Sequence, residues 1–191
     1  MPEQSYALFE TAIGVVGIAW NARGLIGVQL PHADEAATRR RMRQRFPAAC
    51  ESAPSPAVQA AIDGIAALLR GEPRDLNDIK VDDSETSAFN ARVYAIARKI
   101  PPGQTLTYGE IATQLGDKLL AREVGTALGQ NPCPIVMPCH RVLAAGGKSG
   151  GFSAVGGVVT KLRLLSIEGA QPGGPTLFDR LPLETRQRHR G

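Results

Sequence analysis

Cysteine is scarce in this chain of 191 residues: Cys50, Cys133 and Cys139 are all there is, and the number is odd. A secreted fold held by a disulfide framework is thereby excluded, and a reducing compartment is favoured. Long apolar runs are missing as well. Nowhere do roughly 18 apolar residues follow one another, the length a membrane helix requires. The first ten residues contain Glu3 and Glu10 and no basic stretch leading into an apolar one, so they do not read as a secretory signal. Net charge is also small, +4 from 22 Lys+Arg against 18 Asp+Glu, and by itself says little about partners. What the chain does have is 43% hydrophobic residues, enough for a core in one domain or two small ones and too many for a disordered chain. The expectation is a cytoplasmic protein with no membrane attachment.

The charge is unevenly placed. Residues 1–85 carry 9 basic and 12 acidic side chains, residues 86–169 carry 9 and 4, and residues 170–191 carry 4 and 2. The change falls near Asp82-Asp83-Ser84-Glu85, which reads as a linker. Three segments are therefore expected: a variable domain over 1–85, a basic domain over 86–169 that could face a polyanion, and a disordered basic tail over 170–191.

In the first segment, apolar stretches at Tyr6–Phe9, Gly14–Trp20 and Leu25–Leu30 flank an Asn21–Gly24 turn, which predicts a hairpin. Ala36 to Phe46 predicts a helix with five arginines (39, 40, 41, 43 and 45), read as a solvated face. Pro54-Ser55-Pro56 breaks the chain before a second helix over Ala57–Leu69. The segment reads as a small α/β domain with no obvious chemistry.

The second segment reads as largely helical. Phe89, Val93, Ile96 and Ile100 mark one face of a helix over Ser87–Lys99, ended by Pro101-Pro102-Gly103. Thr107 with Glu110 has capping-box spacing for a helix over Tyr108–Leu115. Gly116-Asp117 then turns the chain into a helix over Leu120–Leu128, which is helix-turn-helix spacing. Small residues in Ala121-Arg122-Glu123-Val124-Gly125-Thr126 would let that last helix lie close to a surface, with Arg122 reaching further.

Chemistry concentrates at Asn131-Pro-Cys-Pro-Ile-Val-Met-Pro-Cys-His-Arg-Val142. Prolines at 132, 134 and 138 stiffen a segment that presents Cys139 and His140 side by side. A thiol with an ordinary pKa near ~8.5 needs a base or a positive field to act as a nucleophile at neutral pH, and a neighbouring histidine supplies one. Glu168, after an amphipathic helix over Thr160–Ile167, is a candidate to orient that histidine. Zinc is the competing use of Cys133, Cys139 and His140, but the cysteine spacing fits no standard pair, and a fourth ligand would have to come from Cys50, His32 or His189. No metal is expected, and Cys133 reads as a buried small hydrophobe.

Pro138-Cys139-His140-Arg141-Val142, preceded by Asn131-Pro132, resembles the signature of the O6-alkylguanine-DNA alkyltransferases. The similarity continues through Thr107-Tyr108-Gly109-Glu110-Ile111-Ala112, Ala121-Arg122-Glu123-Val124-Gly125, Gly150-Gly151-Phe152-Ser153 and Lys161…Leu164-Leu165…Glu168-Gly169. It covers about residues 87–169; the first segment matches only loosely, as the variable domain such proteins carry.

The resemblance implies an α/β amino-terminal domain with a small RNase H-like sheet. A mostly helical carboxy-terminal domain with a winged helix-turn-helix-like DNA-binding motif would follow. It implies that Cys139 accepts the alkyl group, that His140 activates it through a bound water, and that Glu168 orients His140. Asn131 would hold the segment, with Arg141 structural. Tyr108 would press on the 3′ phosphate and Arg122 would fill the space left by a flipped base. Ala121, Gly125 and Thr126 would face the minor groove. Met137, Val142, Phe152 and Ser153 would bind the base. It further implies a monomer on double-stranded, nucleoid-associated DNA containing O6-alkylguanine, no cofactor, and one transfer per molecule, with O4-alkylthymine as a further substrate.

Two departures stand out. Phe152 replaces a tyrosine found in many members, and Ser153-Ala-Val-Gly-Gly157 is about two residues longer than usual, which puts rate and substrate range in question. The alternative functions are a non-enzymatic alkylguanine-binding module, which would lack the acceptor that Cys139 provides, and a cysteine hydrolase, for which no pattern exists.

Overall fold

The computed structural model describes residues 3–170, so the tail expected over 170–191 lies outside the described residues apart from Ala170. Apolar residues that alternate along the first strands build a four-stranded sheet: β1 (Gln4–Thr11), β2 (Gly14–Trp20), β3 (Leu25–Gln29) and β4 (Ala49–Glu51). Its order is β3-β2-β1-β4, antiparallel except for the β1–β4 pair. The expected turn is present, because the Asn21 carboxamide oxygen accepts from the amides of Arg23 and Gly24.

Period-two alternation sends side chains to two faces. Tyr6 and Ala19 pack with Met42 of α1 (Glu35–Arg45) on one face. Val16, Ile18 and Val28 pack with Val58, Ile62 and Ile65 of α2 (Pro56–Leu69) on the other. Helix α1 can lie so close because Gly17 and Gly27 carry no side chain. A Cβ at Gly17 would stand 2.5 Å from the Met42 sulfur, and one at Gly27 would collide with the Phe46 ring.

The solvated arginine face expected on α1 is corrected by this packing. Arg39 pairs with Glu35 and Glu51, Arg43 donates to the Tyr6 hydroxyl, and Arg45 is half-buried. Only Arg40 and Arg41 keep the expected setting. The linker near Asp82 is also tied down: the Asp82 carboxylate accepts from Asn21 and Arg23, and its amide donates to Leu25.

The helical half follows as α3 (Ala88–Arg98), α4 (Tyr108–Gln114), a 3-10 turn over Lys118–Leu120, α5 (Ala121–Gly129) and α6 (Gly157–Ile167). The capping box at Thr107 and Glu110 is complete, with both reciprocal bonds formed. Two short strands, β5 (Leu106–Thr107) and β6 (Val142–Leu143), pair in parallel on either side of the central loop. Helix α6 begins three residues earlier than expected, because Gly156 and Gly157 adopt left-handed backbone angles that start it there. Ile65, Val93, Ile111, Val124 and Ile135 belong to one apolar cluster, so the sheet and the helical half share a core.

Candidate active site

The segment between α5 and β6 is held in an unusual shape by one side chain. Asn131 donates from Nδ2 to the Met137 carbonyl (2.6 Å) and accepts at Oδ1 from the Cys133 amide (2.9 Å). Between these anchors Ile135 has φ of +75°, a left-handed conformation costly for a β-branched residue, on the order of 1–3 kcal/mol. Its side chain is 1% exposed, so burial among apolar neighbours offsets the strain. The far side of the segment is pinned to the sheet half. The Pro132 carbonyl accepts from the Val28 amide (2.9 Å) and from Arg45 (3.2 Å), and Arg45 also donates to the Val28 carbonyl and Gln29.

The segment delivers Cys139 and His140 into a 3-10 turn, Cys139–Arg141. His140 is 1% exposed, and its Nε2 lies 2.9 Å from Glu168 Oε1. Arg141 grips both oxygens of the same carboxylate, at 2.9 and 2.8 Å, and donates to the Ile100 carbonyl at 2.6 Å. Burial raises the Glu168 pKa, but the bonds from His140 and Arg141 outweigh it and hold the group ionised. Burial keeps His140 below its ordinary value despite Glu168, so the imidazole is neutral. A carboxylate only accepts, so Nε2 carries the proton and Nδ1 presents a lone pair. That Nδ1 is buried and has no hydrogen-bond partner among the described residues. The geometry is that of an oriented base with a free basic atom.

Cys139 is 8% exposed. Burial pushes its thiol up, opposed by the Asn131 side chain, the positive charge of Lys161, and the amides of Cys139 and His140. Lys161 is fully buried and donates to the carbonyls of Val142 (2.6 Å) and Gly151 (3.4 Å). Burial lowers its pKa to about 8, and its ammonium lies 5.7 Å from the centre of the Tyr108 ring. Sequence reading gave Lys161 no role, yet a signal existed. Lys161, Leu164, Leu165 and Glu168 share one helix face at i, i+3, i+4 and i+7, and a lysine on an apolar face needs buried acceptors.

Tyr108, Ala121, Arg122 and Gly125 line, with Phe152, Ser153 and Cys139, an open cavity of about 550 Å³. Arg122 and Thr126 are exposed on α5, and Thr126 lies outside that lining. Gly150, with φ of +65°, runs against the Tyr108 ring, where a Cβ would stand 3.1 Å from it. The Ser153 hydroxyl donates to the Gly129 carbonyl and ties the loop to α5. Met137 and Val142 are placed differently from the sequence expectation. Both are core residues lining no cavity at Cys139, and they contribute carbonyls, to Asn131 and Lys161 respectively. Cys133 is buried, with its thiol pushed up to about 12 by burial. Among the described residues no three His, Cys, Asp or Glu side chains cluster as metal ligands.

A buried Cys-His-Glu arrangement beside a helix pair that bears an exposed arginine is the architecture of the O6-methylguanine methyltransferase class. The structure of Mycobacterium tuberculosis O6-methylguanine methyltransferase superposes with a TM-score of 0.69 at 30% identity, covering 87% of this chain and 93% of that one. A second structure of the M. tuberculosis protein, in complex with DNA, gives the same TM-score and identity over 86% and 92% of the two chains. The model of the 6-O-methylguanine DNA methyltransferase, DNA binding domain, matches residues 88–170. The M. tuberculosis methylated-DNA–protein-cysteine methyltransferase is 42% identical over 124 residues, 64% of this chain and 73% of that protein. The chain belongs to the methylated-DNA–protein-cysteine methyltransferase family.

Proposed function

We propose that this protein repairs DNA by moving the alkyl group of O6-alkylguanine irreversibly onto Cys139, once per molecule. The observation that carries this reading is the half-buried order Cys139, His140, Glu168, in which a neutral imidazole with a free Nδ1 stands next to a thiol. The thiol proton passes to His140 Nδ1 through a bound water, and Glu168, kept ionised by Arg141, stabilises the imidazolium that results. Lys161 and the local amides favour the thiolate. Sulfur then attacks the alkyl carbon in line; the S–C bond forms as the C–O6 bond breaks, and guanine leaves with the electron pair and regains a proton. The thioether is stable, so the protein is consumed.

The helical half would act as a DNA-binding domain over 86–169 of the winged helix-turn-helix type, working as a monomer in the cytoplasm. Helix α5 would enter the minor groove through Ala121, Gly125 and Thr126, with Tyr108 pressing on a phosphate and Arg122 replacing the flipped base. Phe152 and Ser153 would line the base pocket. Residues 1–85 would form the separate variable domain, which supports the site through Arg45 and β3. The test is incubation with an oligonucleotide containing O6-methylguanine, followed by mass spectrometry of the Cys139 peptide. A methyl adduct with loss of the lesion is expected; an unmodified peptide beside intact lesion overturns the reading.

A further inference from the structure

Two cavities reach Cys139, and the flipped base needs only one. The 550 Å³ cavity on the α5 side contains Tyr108 and Arg122 and faces the proposed DNA. The other, about 340 Å³, lies across Phe152 and Ser153 and runs towards the sheet half. Its polar wall includes Gln29, Arg41, Arg45, Gln130 and Asn131, and no Asp or Glu lines it. Arg45 and Asn131 already have partners in the scaffold. Arg41 does not: it is exposed, and the nearby carboxylates Glu35 and Glu51 pair with Arg39 instead. Its positive field is felt across the wall, adding to burial in lowering the pKa of both His32 and Arg45.

In-line displacement places sulfur, alkyl carbon and O6 on one axis, and the remaining substituents of that carbon splay away from the axis. A methyl group asks for no further room. A longer group has to leave sideways from Cys139, and the cavity between the loop and α1 is open space at that point. Resting on the alkyl-transfer reading above, we infer that this cavity is a subsite for the distal part of the O6 substituent. Its free cation, Arg41, favours substituents that end in an anion, of which carboxymethyl is the smallest. The reaction balances as for methyl. The S–CH2 bond forms while the CH2–O6 bond breaks, the thiol proton ends on guanine, and the carboxylate stays ionised throughout.

The test compares single-turnover rates on duplexes carrying O6-methylguanine, O6-carboxymethylguanine or the neutral O6-carbamoylmethylguanine, in wild type, Arg41→Ala, Arg41→Lys and Arg41→Glu. An exposed ion pair gives a modest preference, so the carboxymethyl-to-carbamoylmethyl rate ratio should fall about threefold to fivefold in Arg41→Ala and further in Arg41→Glu. It should survive in Arg41→Lys, and salt should shrink it in wild type. Methyl transfer should stay within about twofold in every variant, since an exposed charge away from the reacting atoms contributes little. An unchanged ratio, including a uniform loss on all three duplexes as expected of a phosphate contact, overturns the subsite while leaving methyl transfer intact. Absence of methyl transfer by wild type overturns the underlying reading and the subsite with it.

Discussion

His140, Arg141 and Glu168 are sealed in the core and bonded to one another, whereas Arg122 and Thr126 project from α5 into solvent and Tyr108 lies half-buried between them. The contrast follows from what each group is asked to do. A base has to keep one tautomer and one orientation, which burial and a fixed ion pair enforce. Residues that meet a nucleic acid have to remain reachable, and they lose little by being solvated beforehand. Buried residues should therefore couple chemistry to stability, while exposed ones should affect only the encounter with DNA.

The strongest way to break this contrast is Cys139→Ser, which should abolish transfer in the mass-spectrometric assay while oligonucleotide binding persists. Residual transfer would place the acceptor elsewhere. Next in size is Glu168→Gln, which strands the Arg141 charge in the core. A loss of about 3–5 kcal/mol in urea unfolding is expected, together with a fall in transfer rate of about 10²-fold, the scale of a disabled general base. If folding were unaffected, the buried network would not be structural.

The same group predicts a pH dependence. The folded Glu168 pKa lies below its unfolded value, so its contribution is present above about pH 4.3 and fades as pH falls through the folded value. Wild type should lose stability in that acid window, and Glu168→Gln should lose less. Lys161 works in the opposite window. Its pKa of about 8 is below the unfolded ~10.4, so the unfolded chain holds more protons between them and stability should rise with pH there. Thermal melts of wild type against Lys161→Met would register the difference, with the rise absent in the variant.

On the exposed side, Arg122→Ala should slow repair of duplex by about tenfold, the cost of roughly 1.4 kcal/mol of lost flipping support, while reaction with free O6-benzylguanine and the melting curve stay as in wild type. Equal losses on both substrates would remove the distinction. The smallest effect is expected from Phe152→Tyr, which adds a hydroxyl to the pocket wall and should change the methyl-transfer rate by about threefold or less, one neutral hydrogen bond at most.

Much of this arrangement was legible along the chain. Alternation marked the strands, apolar spacing marked α3 and α4, and Thr107 with Glu110 marked the start of α4 through a capping box that the structure completes. Cys139, His140 and Glu168 stood out because they are chemically distinctive and because their flanking motifs resemble a family. The misread elements were those where tertiary contacts override local pattern. A row of arginines on α1 looks solvated, but Tyr6, Glu51 and Pro132 come from distant parts of the chain, and they decide where Arg39, Arg43 and Arg45 point. Met137 and Val142 lie beside the nucleophile in sequence, yet the turn at Ile135 and the pairing of β6 bury both.

The sequence by itself determined which groups are available: one thiol with an adjacent imidazole, a carboxylate one helix later, and a small-residue helix with an exposed arginine. Tertiary structure alone decided their states. Burial leaves His140 neutral, Arg141 keeps Glu168 charged, Lys161 is held within the core beside the thiol, and the sheet half closes a second cavity around Cys139. These outcomes depend on desolvation and on charges far apart in the chain, and neither is encoded in any local stretch of residues.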